Sequence, residues 1–326
     1  VERRTFISAL AGGLLSGPLA AGAQQPEKVR RIGILIASSA SFIAPYIETF
    51  RQALHGLGYV EGQNIAIEYR YAEGNYDWLP VLAADLVRLG VDIIVTEGTP
   101  PTRAAKQATT TIPIVMTVTG DPVATGLVAN LAHPGGNLTG ASFFFPEIAA
   151  KRVELLKEAV PAVRRVLLLW NPANAVQEPA VKAIEAAAKR LGIGVQHVKV
   201  QAPADFDGAL LAISKSRDSL LVLEDGLINV YSNQIAGLAT RTRLPTIFGV
   251  TIFAEAGGLM AYGPNRSELW RRAATLVDKI LRGARPGDLP VEQSTRFDLV
   301  INLKTAKALG LTLPPSLLQR ADQVIE

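Results

Sequence analysis

Residues 31–57 read RIGILIASSASFIAPYIETFRQALHGL. The first nine, Arg31 to Ser39, form a short apolar run that ends in two serines. An unbroken run of this kind reads as a strand buried on both faces, because a strand with one wet face would alternate. After the serines, 45–57 reads as an amphipathic helix. A buried strand, a polar turn and a helix make half of a βαβ unit.

The chain then repeats that unit. Strands are expected at 64–73, 92–98 and 113–122, with helices at 78–89, 101–108 and 123–131. HPGGNLTG at 133–140 interrupts the series with one proline and three glycines, a loop signal. A second series starts near Pro146, with helices at 149–160, 178–191, 206–214, 233–243 and 252–256. Its strands fall at 165–172, 195–200, 219–226 and 245–250. Each series predicts a parallel sheet covered by helices on both sides. The tail departs from the pattern: GLMAYGPN at 258–265, a long helix at 267–281 ended by Gly283 and Pro286, a last strand at 297–303 and a short helix. A tail that can return to both halves predicts several crossovers between two lobes, which make a hinge. The expected division is 29–142 plus 263–285 for one lobe and 143–262 plus 286–326 for the other.

Ahead of this stands VERRTFISALAGGLLSGPLAAGA, residues 1–23. Two arginines, an uncharged run and the small residues Ala21, Gly22 and Ala23 fit an export signal cleaved near Gln24. Arg3 to Ile7 resembles the twin-arginine motif. The expected location is therefore the periplasm.

Composition narrows the classes. The chain has 326 residues, enough for two domains, and no cysteine, which excludes disulfides and thiolate chemistry. The net charge is +4, and removing Glu2, Arg3 and Arg4 turns 33 basic and 29 acidic residues into 31 and 28. A balance of +3 without a long basic run argues against a nucleic-acid partner. His55, His133 and His197 lie in separate elements with no metal spacing, so no metal is expected. There is no G-x-x-x-x-G-K loop, no G-x-G-x-x-G after the first strand and no G-x-S-x-G elbow. No cofactor and no catalytic residue are expected.

In an open parallel sheet, ligands bind beyond the carboxyl ends of the strands, near helix N-termini. The residues at those ends are the candidates: Ser38, Ser39 and Ser41; Thr96, Glu97, Gly98 and Thr99; Thr119 and Asp121; Asn171; Glu224 and Asp225. Hydroxyls suit a carboxylate, and acids suit an ammonium. The same residue types are also ordinary helix caps. Phe144, at the expected first crossover, and Tyr262, at another, are candidate aromatic walls.

Several stretches resemble one family. They are RIGIL at 31–35, LGYVEGQN at 57–64, TGDPV at 119–123, LAHPGGNLTG at 131–140, INLKTAKALGL at 301–311, PPSLL at 314–318 and ADQVIE at 321–326. The sequence resembles the ABC transporter substrate-binding proteins that include the tryptophan-binding type, over nearly the whole chain after the export signal. The resemblance implies a type I periplasmic binding protein fold, two Rossmann-like lobes closing on a solute. It also implies an inner-membrane ABC permease as partner; the expected state is a monomer. The ligand class it leaves is an amino acid, an aromatic compound or a related carboxylate. Two alternatives remain: a periplasmic sensing partner and a two-lobe enzyme. A transcription repressor of this fold needs a helix-turn-helix before the first strand, and that space holds the export signal.

Overall fold

A computed structural model describes residues 29–143, 145–216 and 218–326. The export segment, 1–23, lies outside the described residues, as does Phe144. The first series runs β1 (Arg30–Ile36), α1 (Ala40–Gly56), β2 (Ile65–Tyr71), α2 (Leu79–Arg88), β3 (Ile93–Glu97), α3 (Thr99–Ala108), β4 (Ile114–Thr119) and β5 (Leu138–Ser142). The second runs α4 (Phe145–Ala159), β6 (Arg165–Trp170), α5 (Gln177–Arg190), β7 (Gly194–Lys199), α6 (Phe206–Lys215), β8 (Ser219–Val222), α7 (Gly226–Val230), α8 (Ser232–Thr242), β9 (Thr246–Phe248), α9 (Thr251–Glu255) and β10 (Met260–Pro264). The tail adds α10 (Arg266–Leu281), β11 (Glu292–Gln293), β12 (Phe297–Asn302), α11 (Leu303–Ala308), α12 (Pro315–Gln319) and β13 (Gln323–Ile325).

Two sheets result, ordered β11-β5-β4-β3-β1-β2 and β13-β12-β10-β9-β8-β6-β7. The first is parallel throughout. The second is parallel except for the pair β10 and β12. Central strands carry the continuous apolar runs that double-sided burial requires: Ile32, Ile34, Leu35 and Ile36 of β1 are fully buried. Helix α10 leaves the second sheet and packs on α1, β4 and β5 of the first, where Trp270 meets Phe50 edge to face, ring centroids 5.7 Å apart. The chain thus passes between the lobes three times: after β5, before α10, and between β11 and β12. Three strands of chain restrain relative motion to a hinge.

Besides the short helices α7 and α12, which the sequence does not predict, the structure differs from the sequence reading in four places. Residues 123–131 hold turns, not a helix: Asp121 accepts from the N–H groups of Val123 and Ala124 and caps one turn, which Gly126 ends at φ +71°. The glycine-rich 133–140 stretch ends inside a strand, β5. Gly140 sits there at φ +142°, and a Cβ on it would lie 2.1 Å from the Met116 carbonyl oxygen, so the strand depends on glycine where β4 and β5 shift register. The segment 286–293, expected in the second lobe, belongs to the first sheet through the pairing of β11 with β5, while Gly263 and Pro264 stay in the second through β10. Strand β12 is not the last, since β13 pairs beside it.

Candidate functional site

The carboxyl ends of β1, β3 and β4 face those of β6 and β8 across a cleft. The lobes touch along it. A Cβ on Gly120 would lie 2.1 Å from a Val176 methyl, and one on Gly226 would lie 2.4 Å from the Ala37 Cβ. Glycine at both points lets one lobe's backbone rest on the other's side chains. Between these contacts lies a cavity of about 60 Å³.

Two buried ion pairs flank it. Arg266, the first residue of α10, pairs with Glu97 at the end of β3. Its guanidinium also lies 6.0 and 5.9 Å from the ring centroids of Phe42 and Tyr46. Burial raises the Glu97 pKa above the ordinary glutamate value, against the opposing pull of the Arg266 charge and hydrogen bond. On the other wall, Arg152 is fully buried and holds Glu224 with both terminal nitrogens, while its Nε donates to the Tyr262 carbonyl at 2.7 Å.

A third carboxylate, Asp225, has no cation among the described residues. It has four donors instead: Tyr76 Oη at 2.6 Å, and Asn171 Nδ2, Asn174 Nδ2 and the Leu227 N–H, each at 3.0 Å. Burial raises its pKa and the donors oppose that. With both lone pairs of each oxygen engaged by donors, the group is held as a carboxylate.

Six buried polar atoms on residues lining the cavity have no hydrogen-bond partner among the described residues: Ser38 Oγ, Glu97 Oε2, Thr99 Oγ1, Asn174 Oδ1, Asn229 Oδ1 and Arg266 Nε. Native proteins carry few such atoms, and six around one cavity leave a concentration of unmet hydrogen-bonding capacity there. Its apolar lining includes Phe143, Phe145, Pro100 and Val176.

Of the residues singled out from the sequence, Ser38, Glu97, Gly98, Thr99, Glu224 and Asp225 line this cavity. The other described ones lie elsewhere. Ser39 caps α1 by accepting from the Phe42 N–H and lies 3.1 Å from the Ser41 hydroxyl. Thr96 is buried against Thr102, their hydroxyls 2.7 Å apart. Thr119 is buried outside the lining, and Asp121 closes its turn. Asn171 acts behind the wall, on Asp225. Tyr262 contributes its carbonyl to Arg152 and turns its ring toward Phe297.

Tyr76, Asn229 and Arg266 also line the cavity and were not legible as site residues. Asn229 carried a faint signal, standing one helical turn after the Asp225 cap. Arg266 carried another, a cation at the start of a helix that must be buried to join two lobes.

A family model for ABC transporter substrate binding proteins matches residues 32–325. The chain belongs to that family. It is a solute-binding protein of ABC transport with the type I periplasmic binding fold. The family's members bind small solutes, work with ABC permeases and are periplasmic or extracytoplasmic. Among the described residues no helix is long and apolar enough to cross a membrane. A tyrosine-binding protein of Clostridioides difficile strain R20291 is 28% identical over 285 residues, 87% of this chain and 82% of that one. A crystal structure of an ABC domain in complex with L-Trp, from Streptococcus pneumonia, is 28% identical, covers 91% of this chain and 99% of that one, and superposes with a TM-score of 0.82. A ligand-free, open substrate-binding protein with adhesive properties, from Clostridium difficile, has the same identity and coverage but a TM-score of 0.62. At equal sequence distance, this chain superposes better on the ligand-bound structure than on the open one.

Proposed function

We propose that the cleft captures a small amino acid-type solute outside the cytoplasm by closure of the two lobes and delivers it to an inner-membrane permease. The observation that carries this is the set of unpartnered atoms. Glu97 Oε2, Asn174 Oδ1 and Asn229 Oδ1 are acceptors and line one cavity. A primary ammonium brings three N–H donors. Ser38 and Thr99 bring hydroxyls, and Arg266 Nε an N–H, for a carboxylate. Beside them the first turn of α3 runs Thr99-Pro100-Pro101, so the hydroxyl supplies donor capacity that the two prolines lack.

The charge balance supports the same class. Arg266 offsets Glu97 and Arg152 offsets Glu224, which leaves the Asp225 charge uncompensated by any cation of the described residues. A wall with one net negative charge disfavours a solute that is only a carboxylate. The tyrosine and L-Trp of the two relatives belong to the favoured class. Closure follows because the solute bridges both walls: Glu97 belongs to the first lobe, Asn174 and Asn229 to the second. Its differential affinity for the closed form shifts the equilibrium. The twin-arginine segment and a monomeric state complete the reading.

Thermal unfolding of the purified protein against amino acids and their des-amino analogues tests it. A solute at about 1,000 times its Kd stabilises by about 4 kcal/mol, a shift of several degrees. At least one amino acid is expected to give such a shift while its des-amino analogue gives none. Equal shifts from both, or none from any amino acid, would overturn the reading.

A further inference from the structure

Asp225 is the N-cap of α7, and capping needs one donor, the Leu227 N–H. Two more donors, from Asn171 and Asn174, come from the same lobe. Their carriers are themselves fixed. Asn171 Oδ1 accepts from the Ala173 N–H at 2.9 Å, its N–H donates to Gln177 Oε1 at 2.8 Å, and Gln177 Nε2 donates to the Glu224 carbonyl at 2.8 Å. The carboxylate is thus set in position by its own lobe, with one lone pair left over.

The group that takes this lone pair comes from the other lobe. Tyr76 follows β2 in the first sheet's lobe and stands 149 residues from Asp225, yet its hydroxyl donates to Asp225 Oδ2 at 2.6 Å. Nearby, Gly74 packs on the Leu227 side chain, where a Cβ would lie 2.9 Å from a methyl. Tyr76 therefore meets a preset acceptor only when the lobes are together.

We propose that the Tyr76 hydroxyl and the Asp225 carboxylate form a closure latch, with Tyr76 a positioning residue that sets how long the cleft stays shut. Asn174 joins the latch to the cavity. Its Nδ2 donates to Asp225, and its Oδ1 is one of the unpartnered acceptors of the wall. A donor on the solute that engages Oδ1 fixes the amide and with it the latch acceptor. That last step rests on the solute-binding reading above; the latch itself does not. Burial and the Asp225 charge raise the Tyr76 pKa well above the ordinary tyrosine value, which keeps the phenol a donor at neutral pH.

The test needs no solute. The chain has no cysteine, and a Cβ on Gly120 would lie 3.4 Å from Val176 Cβ across the lobes, near the roughly 3.5–4.5 Å of a disulfide. A protein carrying Gly120→Cys and Val176→Cys cross-links under a mild oxidant at a rate that follows its closed fraction. Adding Tyr76→Phe, which keeps the ring, is expected to slow that rate about tenfold, the ratio one charge-assisted hydrogen bond supports. The matched control is Tyr59→Phe, which removes a tyrosine–aspartate bond of 3.0 Å to Asp278 within the first lobe and is expected to leave the rate unchanged. A rate for Tyr76→Phe within twofold of the parent, or equal slowing by both variants, overturns the latch. Should no amino acid shift the melting temperature, the binding reading fails and the cross-linking rates still decide the latch.

Discussion

Glu97 and Asp225 are two buried carboxylates on opposite walls of one cavity, and they are satisfied in opposite ways. Asp225 accepts four hydrogen bonds and has nothing left to offer a solute. Glu97 has one oxygen on Arg266 and one with no partner among the described residues. Both have raised pKa values, with burial as the first cause. Burial alone therefore does not separate an architectural acid from a recognising one. The count of filled lone pairs does, since an unfilled one costs free energy until a ligand fills it.

The sharpest break of this comparison is Asp225→Ala. It strips the partner from Tyr76, Asn171, Asn174 and the α7 cap at once. Each buried donor left alone costs about 1–3 kcal/mol, and relaxation recovers part of the sum. The expected loss is about 3–5 kcal/mol of folding stability, read by denaturant unfolding. A loss under about 1 kcal/mol would show that Asp225 is not the architectural member of the pair.

Glu97→Gln is expected to act on binding instead. The glutamine keeps an acceptor toward Arg266 but presents no charge to an ammonium. Affinity for the solute found in the thermal screen should fall about 50–100-fold, near 2–3 kcal/mol, with a smaller effect on stability. The pH dependence sharpens the point. The folded pKa of Glu97 is raised above its unfolded value, so its favourable contribution to stability is present below the unfolded pKa and lost as pH rises through the folded one. Binding runs the other way, because the ammonium needs the ionised form. As pH falls through the raised Glu97 pKa, above the ordinary glutamate range, affinity should drop while this group's contribution to the fold grows. Titration calorimetry across that range should show the step in the parent protein and none in Glu97→Gln.

The contrast also shows what the sequence could reveal. The two α/β series were legible because buried parallel strands leave continuous apolar runs such as 32–36, and helices leave their own period. The strand-end rule brought Ser38, Glu97, Thr99, Glu224 and Asp225 to the cavity. It could not tell Glu97 from Asp225, since that difference depends on Arg266, Tyr76 and Asn174, each from another part of the chain. It also brought in Ser39, Thr96 and Asp121, which cap or pair locally. Caps and ligand contacts use the same residue types at the same positions, so local sequence does not sort them. Strand β5 escaped for a related reason: its Gly140 is required by the close approach of β4 and in sequence reads as loop.

The smallest effect expected is the most discriminating. Thr99 Oγ1 is buried in the cavity wall with no partner among the described residues, so in the protein alone it is a desolvated polar group that gains nothing. Thr99→Val keeps the β-branched shape and removes only the hydroxyl. If that hydroxyl exists for a solute carboxylate, the variant should be slightly more stable than the parent, by about 0.5–1 kcal/mol, and bind about three- to tenfold more weakly, the scale of one hydrogen bond. An architectural hydroxyl would show the opposite pattern, lower stability with unchanged binding. The two signs are read from one set of melting curves, with and without solute, and only a group held in reserve for a ligand moves them in opposite directions.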